Sequence, residues 1–219
     1  MRHLTIRLLL CFILPASCAG ANVIYNVTID TSPLIGHPAG PFALDLQFAD
    51  GSGMGDANNT VLLSGFTFGA GSPAGSIFST SGVSGDLGSS VQMIDNSFLN
   101  EFDENFNPGA ALSFQLTLST NPDIGAPDEF SLAILDSSGF EIPTLGPGNA
   151  LLIVDIGAGT ANVSAFATDT SQSPPAGGPP IDIGAPQAAP LVSSAPEPGS
   201  FLLLSGALGA LLLRERFRK

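Results

Sequence analysis

Phe42-Ala43-Leu44-Asp45-Leu46-Gln47-Phe48 decides the fold class. Four large apolar side chains alternate with Ala, Asp and Gln. This period of two sends one set into a core and the other toward solvent. Leu112-Ser113-Phe114-Gln115-Leu116-Thr117-Leu118 repeats the pattern. So does the run from Val23 to Asp30, with Val23, Tyr25, Val27 and Ile29 on one face. Further strands are expected at 61–68, 90–94, 130–135, 150–156 and 162–168, separated by clusters of Gly, Asn, Asp, Ser and Pro. No apolar i, i+3, i+4 pattern persists for a helical length. Phe98, Phe102 and Phe106 fit one face of a helix or one face of a strand. The Pro108-Gly109 behind them and the strands around them favour the extended form. Many short antiparallel strands predict an all-β fold over residues 21–170, an antiparallel β-sandwich of jelly-roll type.

Outward from this domain the charge changes abruptly. The chain has 6 Lys and Arg against 19 Asp and Glu, a formal net charge of −13. The basic residues are Arg2, Arg7, Arg214, Arg216, Arg218 and Lys219, with none between Leu8 and Leu213. An acidic domain of this kind repels phosphate, which disfavours nucleic acid as a partner. Every basic side chain flanks one of two apolar runs, the position in which Lys and Arg fix membrane orientation.

The first run reads as a secretory signal peptide over residues 1–19. Arg2 and Arg7 precede LLLCFIL at 8–14, Pro15 breaks the run, and Ser17-Cys18-Ala19 offers small residues at a cleavage site. Pro15 stands where a lipid-attachment signal at Cys18 usually has Leu, so ordinary cleavage after Ala19 is expected. That cleavage would remove Cys11 and Cys18, leaving a mature chain without Cys, held by its core alone. At the other end, residues 171–195 are dense in Pro, Gly and Ala. They read as an extended linker holding the domain off the membrane. Pro196-Glu197-Pro198 follows, then an apolar stretch at 201–213, expected as a short hydrophobic helix, then the basic end Arg214, Arg216, Arg218 and Lys219. The stretch is thirteen residues long, against ~20 for a span of ~30 Å of hydrocarbon. Such shortness suits a segment held temporarily and then processed.

The tripeptide, the short Leu/Gly/Ala-rich stretch and the Arg-rich end together resemble the PEP-CTERM sorting signal of bacterial exported proteins. Glu215 inside the basic cluster is a departure from that pattern. The resemblance covers about the last 25 residues. It implies an exosortase, a membrane-embedded cysteine peptidase or transpeptidase, as partner, with Pro196, Glu197 and Pro198 as substrate positions. It also implies delivery to the cell envelope and then to the cell surface or extracellular polysaccharide. The two prolines agree physically, because they hold the tripeptide out of helix. The stretch from Asn96 through Phe130, with Asp136 and Ile142-Pro143-Thr144, is similar to a group of uncharacterised PEP-CTERM exported domains. That similarity supplies no activity.

The residues of the domain offer little chemistry beyond carboxylates. His37 is the one His after the signal peptide, and it is expected as an exposed loop residue, not the base of a triad. The His and Cys ligands of a zinc site are missing. Gly51-Ser52-Gly53-Met54-Gly55 lacks the Lys of a phosphate loop and reads as a flexible loop. Glu101, Asp103 and Glu104 cluster in sequence, as do Asp128 and Glu129, with Asp123 nearby. Asp50-Gly51-Ser52-Gly53 and Asn121-Pro122-Asp123-Ile124-Gly125 are loosely suited to Ca²⁺, the one cofactor considered. Sugar sites usually stack a ring on Trp or Tyr, and this chain has no Trp and one Tyr, Tyr25. The expectation is therefore a non-enzymatic exported surface or matrix protein with no catalytic residue and no metal site. Two alternatives stand beside it: a carbohydrate-binding module, marked by an exposed aromatic patch on one sheet, and a carboxylate-dependent glycoside hydrolase, marked by two acidic residues facing each other in a pocket.

Overall fold

A computed structural model describes residues 22–121 and 125–191. Among the described residues the chain forms twelve strands, two short 3-10 turns and no α-helix. In chain order the strands are β1 (Val23–Asp30), β2 (Phe42–Ala49), β3 (Thr60–Thr67), β4 (Ser72–Ser79), β5 (Val83–Gly85), β6 (Ser90–Ile94), β7 (Leu99–Asn107), β8 (Ala111–Leu118), β9 (Asp128–Leu135), β10 (Leu152–Gly157), β11 (Thr160–Ala165) and β12 (Gln187–Leu191). They make two antiparallel sheets. One has the order β12-β1-β8-β3-β6-β5, the other β11-β10-β9-β2-β7-β4. From β1 to β4 the chain changes sheet at every step.

The alternation dictates the packing. Phe42, Leu44, Leu46 and Phe48 of β2 are all buried, as are Leu112, Phe114, Leu116 and Leu118 of β8. With Val27, Ile29, Val61, Leu63, Phe102, Phe106, Phe130 and Val154 they form one core cluster drawn from both sheets. Phe68, just past β3, meets Phe106 of β7 with ring centroids 6.2 Å apart. The Tyr25 hydroxyl on β1 donates to the Ala161 carbonyl on β11, 2.8 Å away, joining the two sheets at a polar contact. The Phe98–Phe106 segment is indeed extended. Phe102 and Phe106 enter the core, while Phe98 precedes the strand and stays 65 % exposed.

The segment 171–195, expected as a free linker, is part of the fold as far as Leu191. Ile181 and Ile183 are buried in the common core. Thr168 Oγ1 donates to the Ile181 carbonyl at 2.7 Å and accepts the Ile183 N–H at 2.8 Å. Asp136 accepts the Ala176 N–H at 2.7 Å. β12 then pairs antiparallel with β1, Ile24 opposite Leu191. The physical reason is that Pro and Gly weaken regular structure without preventing burial. Two isoleucines spaced by two, with polar groups waiting for their backbone, dock the whole stretch. The domain accordingly extends past residue 170. The signal peptide, the 201–213 stretch, Pro196, Glu197, Pro198 and the basic end lie outside the described residues. No helix among the described residues is long and apolar enough to cross a membrane.

Candidate functional site

Several acidic side chains of the domain make turns. In three Asp-x-Ser sequences the carboxylate accepts both the backbone N–H and the hydroxyl of the Ser. The distances are 3.0 and 2.6 Å for Asp30 with Ser32, 2.9 and 2.6 Å for Asp136 with Ser138, and 3.0 and 2.6 Å for Asp169 with Ser171. This is the Asx-turn geometry that favours Asp where a chain reverses. Asp50 goes further. Its Oδ1 accepts the Ser52 and Gly53 N–H groups, and its Oδ2 those of Gly55 and Asp56. Burial acts to raise the Asp50 pKa, but these hydrogen bonds outweigh it and hold the carboxyl below its usual range. The glycine-rich loop thus wraps a carboxylate of its own chain.

Asp128, next to the exposed Glu129 in sequence, is fully buried. It accepts the Gly51 N–H and the Asn59 side-chain amide, while Asp95 accepts the Asn59 backbone N–H. His37 is half-buried. Its Nδ1 accepts the Ala39 N–H at 3.1 Å, which leaves Nε2 to donate to the Pro179 carbonyl at 3.0 Å. His37 therefore clamps the 171–191 segment, and both ring nitrogens are engaged with backbone.

One group of carboxylates is different. β2 pairs with β7 so that Asp45 lies opposite Asp103 and Gln47 opposite Glu101. Residues directly opposite share a face, and this face is the outer one, since Leu44, Leu46, Phe102 and Phe106 point into the core. One carboxylate oxygen from each of Asp45, Glu101 and Asp103 lies within 4.8 Å of the other two. Beside them opens a hollow of about 270 Å³, lined by Asp45, Gln47, Glu129, Ser131 and Glu141 together with Pro147, Gly148 and Ala150. Asp45, although on an outer face, is only 3 % exposed. Gln47 donates to Asp45 Oδ2 at 2.9 Å. Asp45 Oδ1 and Asp103 Oδ1 are buried and meet no N–H or hydroxyl donor, so only a proton shared between the two carboxyls could join them. Phe78, opposite Asp103 on β4, is 53 % exposed beside this cluster.

The electrostatics follow from the crowding. Burial, with the Asp103 charge next, pushes Asp45 up to about 8. Burial also raises Asp103, with Glu141 adding to it, and raises Glu101, with Asp103 and Glu141 adding to it. The residues Lys and Arg are absent throughout this part of the chain, so no basic side chain offsets the repulsion. Glu104, grouped with Glu101 and Asp103 in sequence, faces the opposite way. It is buried and accepts the Leu87 N–H at 2.7 Å. Sequence reading found Glu101 and Asp103 but missed Asp45, which reads as an ordinary solvent position of an alternating strand. Only the pairing of β2 with β7 brings the three together.

No protein-family model matches this chain, and no curated protein or solved structure does either.

Proposed function

We infer that the chain is an exported bacterial surface or matrix protein, a jelly-roll sandwich delivered to the envelope through its C-terminal Pro-Glu-Pro signal. The jelly-roll reading is supported by the order β1-β8-β3-β6 facing β2-β7-β4, with β9, β10 and β11 extending the second sheet. The observation that carries the sorting reading is the segregation of charge. All six basic residues lie outside 22–191, flanking the two apolar runs, and Pro196-Glu197-Pro198 follows the last strand after four residues. Those four residues reach at most about 17 Å to Pro196, so a membrane peptidase would meet the tripeptide close to the domain. The test is an immunoblot of precursor and mature sizes in hosts with and without an exosortase. Glu197→Ala should leave full-length precursor in the membrane. Identical processing of both chains in both hosts would show the tail to be only a weak anchor.

A second reading, carbohydrate binding, is favoured by one observation. Phe78 stands exposed beside Asp103 on a face rich in carboxylates and amides, as a stacking ring beside hydrogen-bond acceptors would. Phe78→Ala should then abolish retention on acidic-free bacterial polysaccharide in affinity electrophoresis without lowering Tm. Unchanged retention would refute it. The hydrolase reading receives less support: Asp45 and Asp103 approach more closely than the ~5–9.5 Å that separates the two carboxyl groups in glycoside hydrolysis.

A further inference from the structure

We propose that Asp45, Glu101 and Asp103 hold a Ca²⁺ ion on the outer face of the second sheet. The site is independent of the sorting and sugar readings. It does not include Asp50-Gly51-Ser52-Gly53, whose composition is loosely suited to the ion.

The geometry is set by strands. Glu101 and Asp103 are two apart on β7 and therefore share a face, and Asp45 is held opposite Asp103 by the β2–β7 ladder. Oxygens bound to one Ca²⁺ at ~2.3–2.6 Å lie at most ~5.2 Å apart, whereas Mg²⁺ at ~2.0–2.1 Å demands ~4.2 Å or less. The three carboxylates meet within 4.8 Å, close enough for all three to bind one Ca²⁺, and the titration separates the two ions. The ligand set is oxygen alone, which selects hard cations over zinc or copper.

A cluster of acids on a surface would prove nothing, but in this one Asp45 is buried and the other two are half-buried. Asp45 is only 3 % exposed, and its Oδ1, like Asp103 Oδ1, meets no N–H or hydroxyl donor; each of the two carboxyls has the other as a hydrogen-bond neighbour. A buried carboxylate oxygen left without a donor or a positive charge is costly. Among the described residues no Lys or Arg exists to supply the charge. His37 is committed to Ala39 and Pro179. A divalent cation among the three turns their mutual repulsion into attraction. The adjoining hollow of about 270 Å³ has room for several waters at ~30 Å³ each to complete the shell, with Glu141 and Glu129 on its wall.

The other trio of carboxylates, Asp50, Asp56 and Asp95, is a useful contrast. There Asp50 already accepts four backbone N–H groups and Asp95 accepts the Asn59 N–H. Its oxygens are turned toward donors, so it serves as the control.

The experiment is a calorimetric titration of the full chain in detergent, stripped with EGTA, using CaCl₂, MgCl₂ and ionic-strength-matched NaCl. Thermal melts are run under the same conditions. One saturable Ca²⁺ site is expected, with Kd on the order of 10⁻⁵ to 10⁻³ M. Ca²⁺ should raise Tm where matched NaCl does not, because it binds the folded state preferentially. Glu101→Gln and Asp103→Asn should each weaken binding at least tenfold, and Asp56→Asn should leave it unchanged. If Asp103→Asn fails to melt cooperatively, Glu101→Gln, on a half-buried residue, decides alone. No saturable binding at millimolar Ca²⁺, equal Tm shifts from Ca²⁺ and NaCl, Mg²⁺ binding as tight as Ca²⁺, or loss of binding in Asp56→Asn with retention in Glu101→Gln would each overturn the assignment.

Discussion

Ile183→Ala should destabilise the domain as a core substitution does, although Ile183 lies in a stretch whose composition reads as linker. Its side chain is fully buried. Its N–H is accepted by Thr168 Oγ1 at 2.8 Å, and its carbonyl accepts the Thr168 N–H at 3.0 Å. Removing three carbons from a buried site forfeits ~2.4 kcal/mol of transfer energy at ~0.8 kcal/mol per methylene. The cavity adds to this, for a total of ~3 kcal/mol within the usual ~2–5. At ~2–4 °C per kcal/mol for a domain of this size, Tm should fall by roughly 6–12 °C. Asp182→Ala, one residue away on an exposed side chain, should stay within ~0.5 kcal/mol. Urea unfolding of the full chain, followed by intrinsic Tyr25 fluorescence and circular dichroism, measures both. A cost below ~0.5 kcal/mol for Ile183→Ala would mean that 171–191 is a spacer after all and that its contacts with Thr168, Asp136 and His37 carry no weight.

Three other outcomes follow from single contacts. Asp136 is held below its usual range because hydrogen bonds from Ser138, Ala176 and Phe140 outweigh its burial. Its stabilising contribution is therefore present above the unfolded value near ~3.9 and lost as pH falls through the folded one. The protection of the Ala176 amide, corrected for its intrinsic exchange rate, should fall below about pH 4, and Asp136→Asn should flatten that dependence. An added Cβ at Gly82 would collide with Asn100 Oδ1 and crowd Asn96 Oδ1 and the Ile94 carbonyl. Gly82→Ala should thus cost ~1–3 kcal/mol, whereas Gly184→Ala, with open space around it, should be near neutral in the same melts. Tyr25→Phe deletes the hydroxyl that reaches Ala161 and should cost ~1 kcal/mol in chemical denaturation, with the core contacts of the ring retained.

The strands that were legible are those whose residues carry the pattern themselves. FALDLQF, LSFQLTL and the Val23–Asp30 run alternate cleanly because each turns one apolar face into the core and a more polar face outward, although the outer face of β2 is itself covered at Ala43 and Asp45. β4 (SPAGSIFS), β5 (VSG) and β12 (QAAPL) were invisible, since edge strands that are mostly exposed need no apolar face. For 171–191 the readable signal was Ile181-Asp182-Ile183, one apolar pair at strand spacing inside the Pro/Gly background. The acidic centre could be half read. Glu101 and Asp103 stand two apart on one strand, but Asp45 joins them through register, and register is a property of the sheet. The same limit hid the opposite fates of Glu101 and Glu104, and of Asp128 and Glu129.

The pairing of β12 with β1 also decides how this domain avoids sticking to its neighbours. β12 covers Ile24–Thr28 rung by rung and presents in their place an outer edge that carries Pro190. Without that cover, β1 would offer Ile-Tyr-Asn-Val-Thr, β-prone and free of Pro and charge, as a template for any extended chain. The fold has no Lys to act as gatekeeper anywhere along its strands. A nick that released 171–191 would therefore do more than shorten the protein. It would convert a sandwich with a covered β1 edge into one with an open seam, ready to accept β12 from another copy.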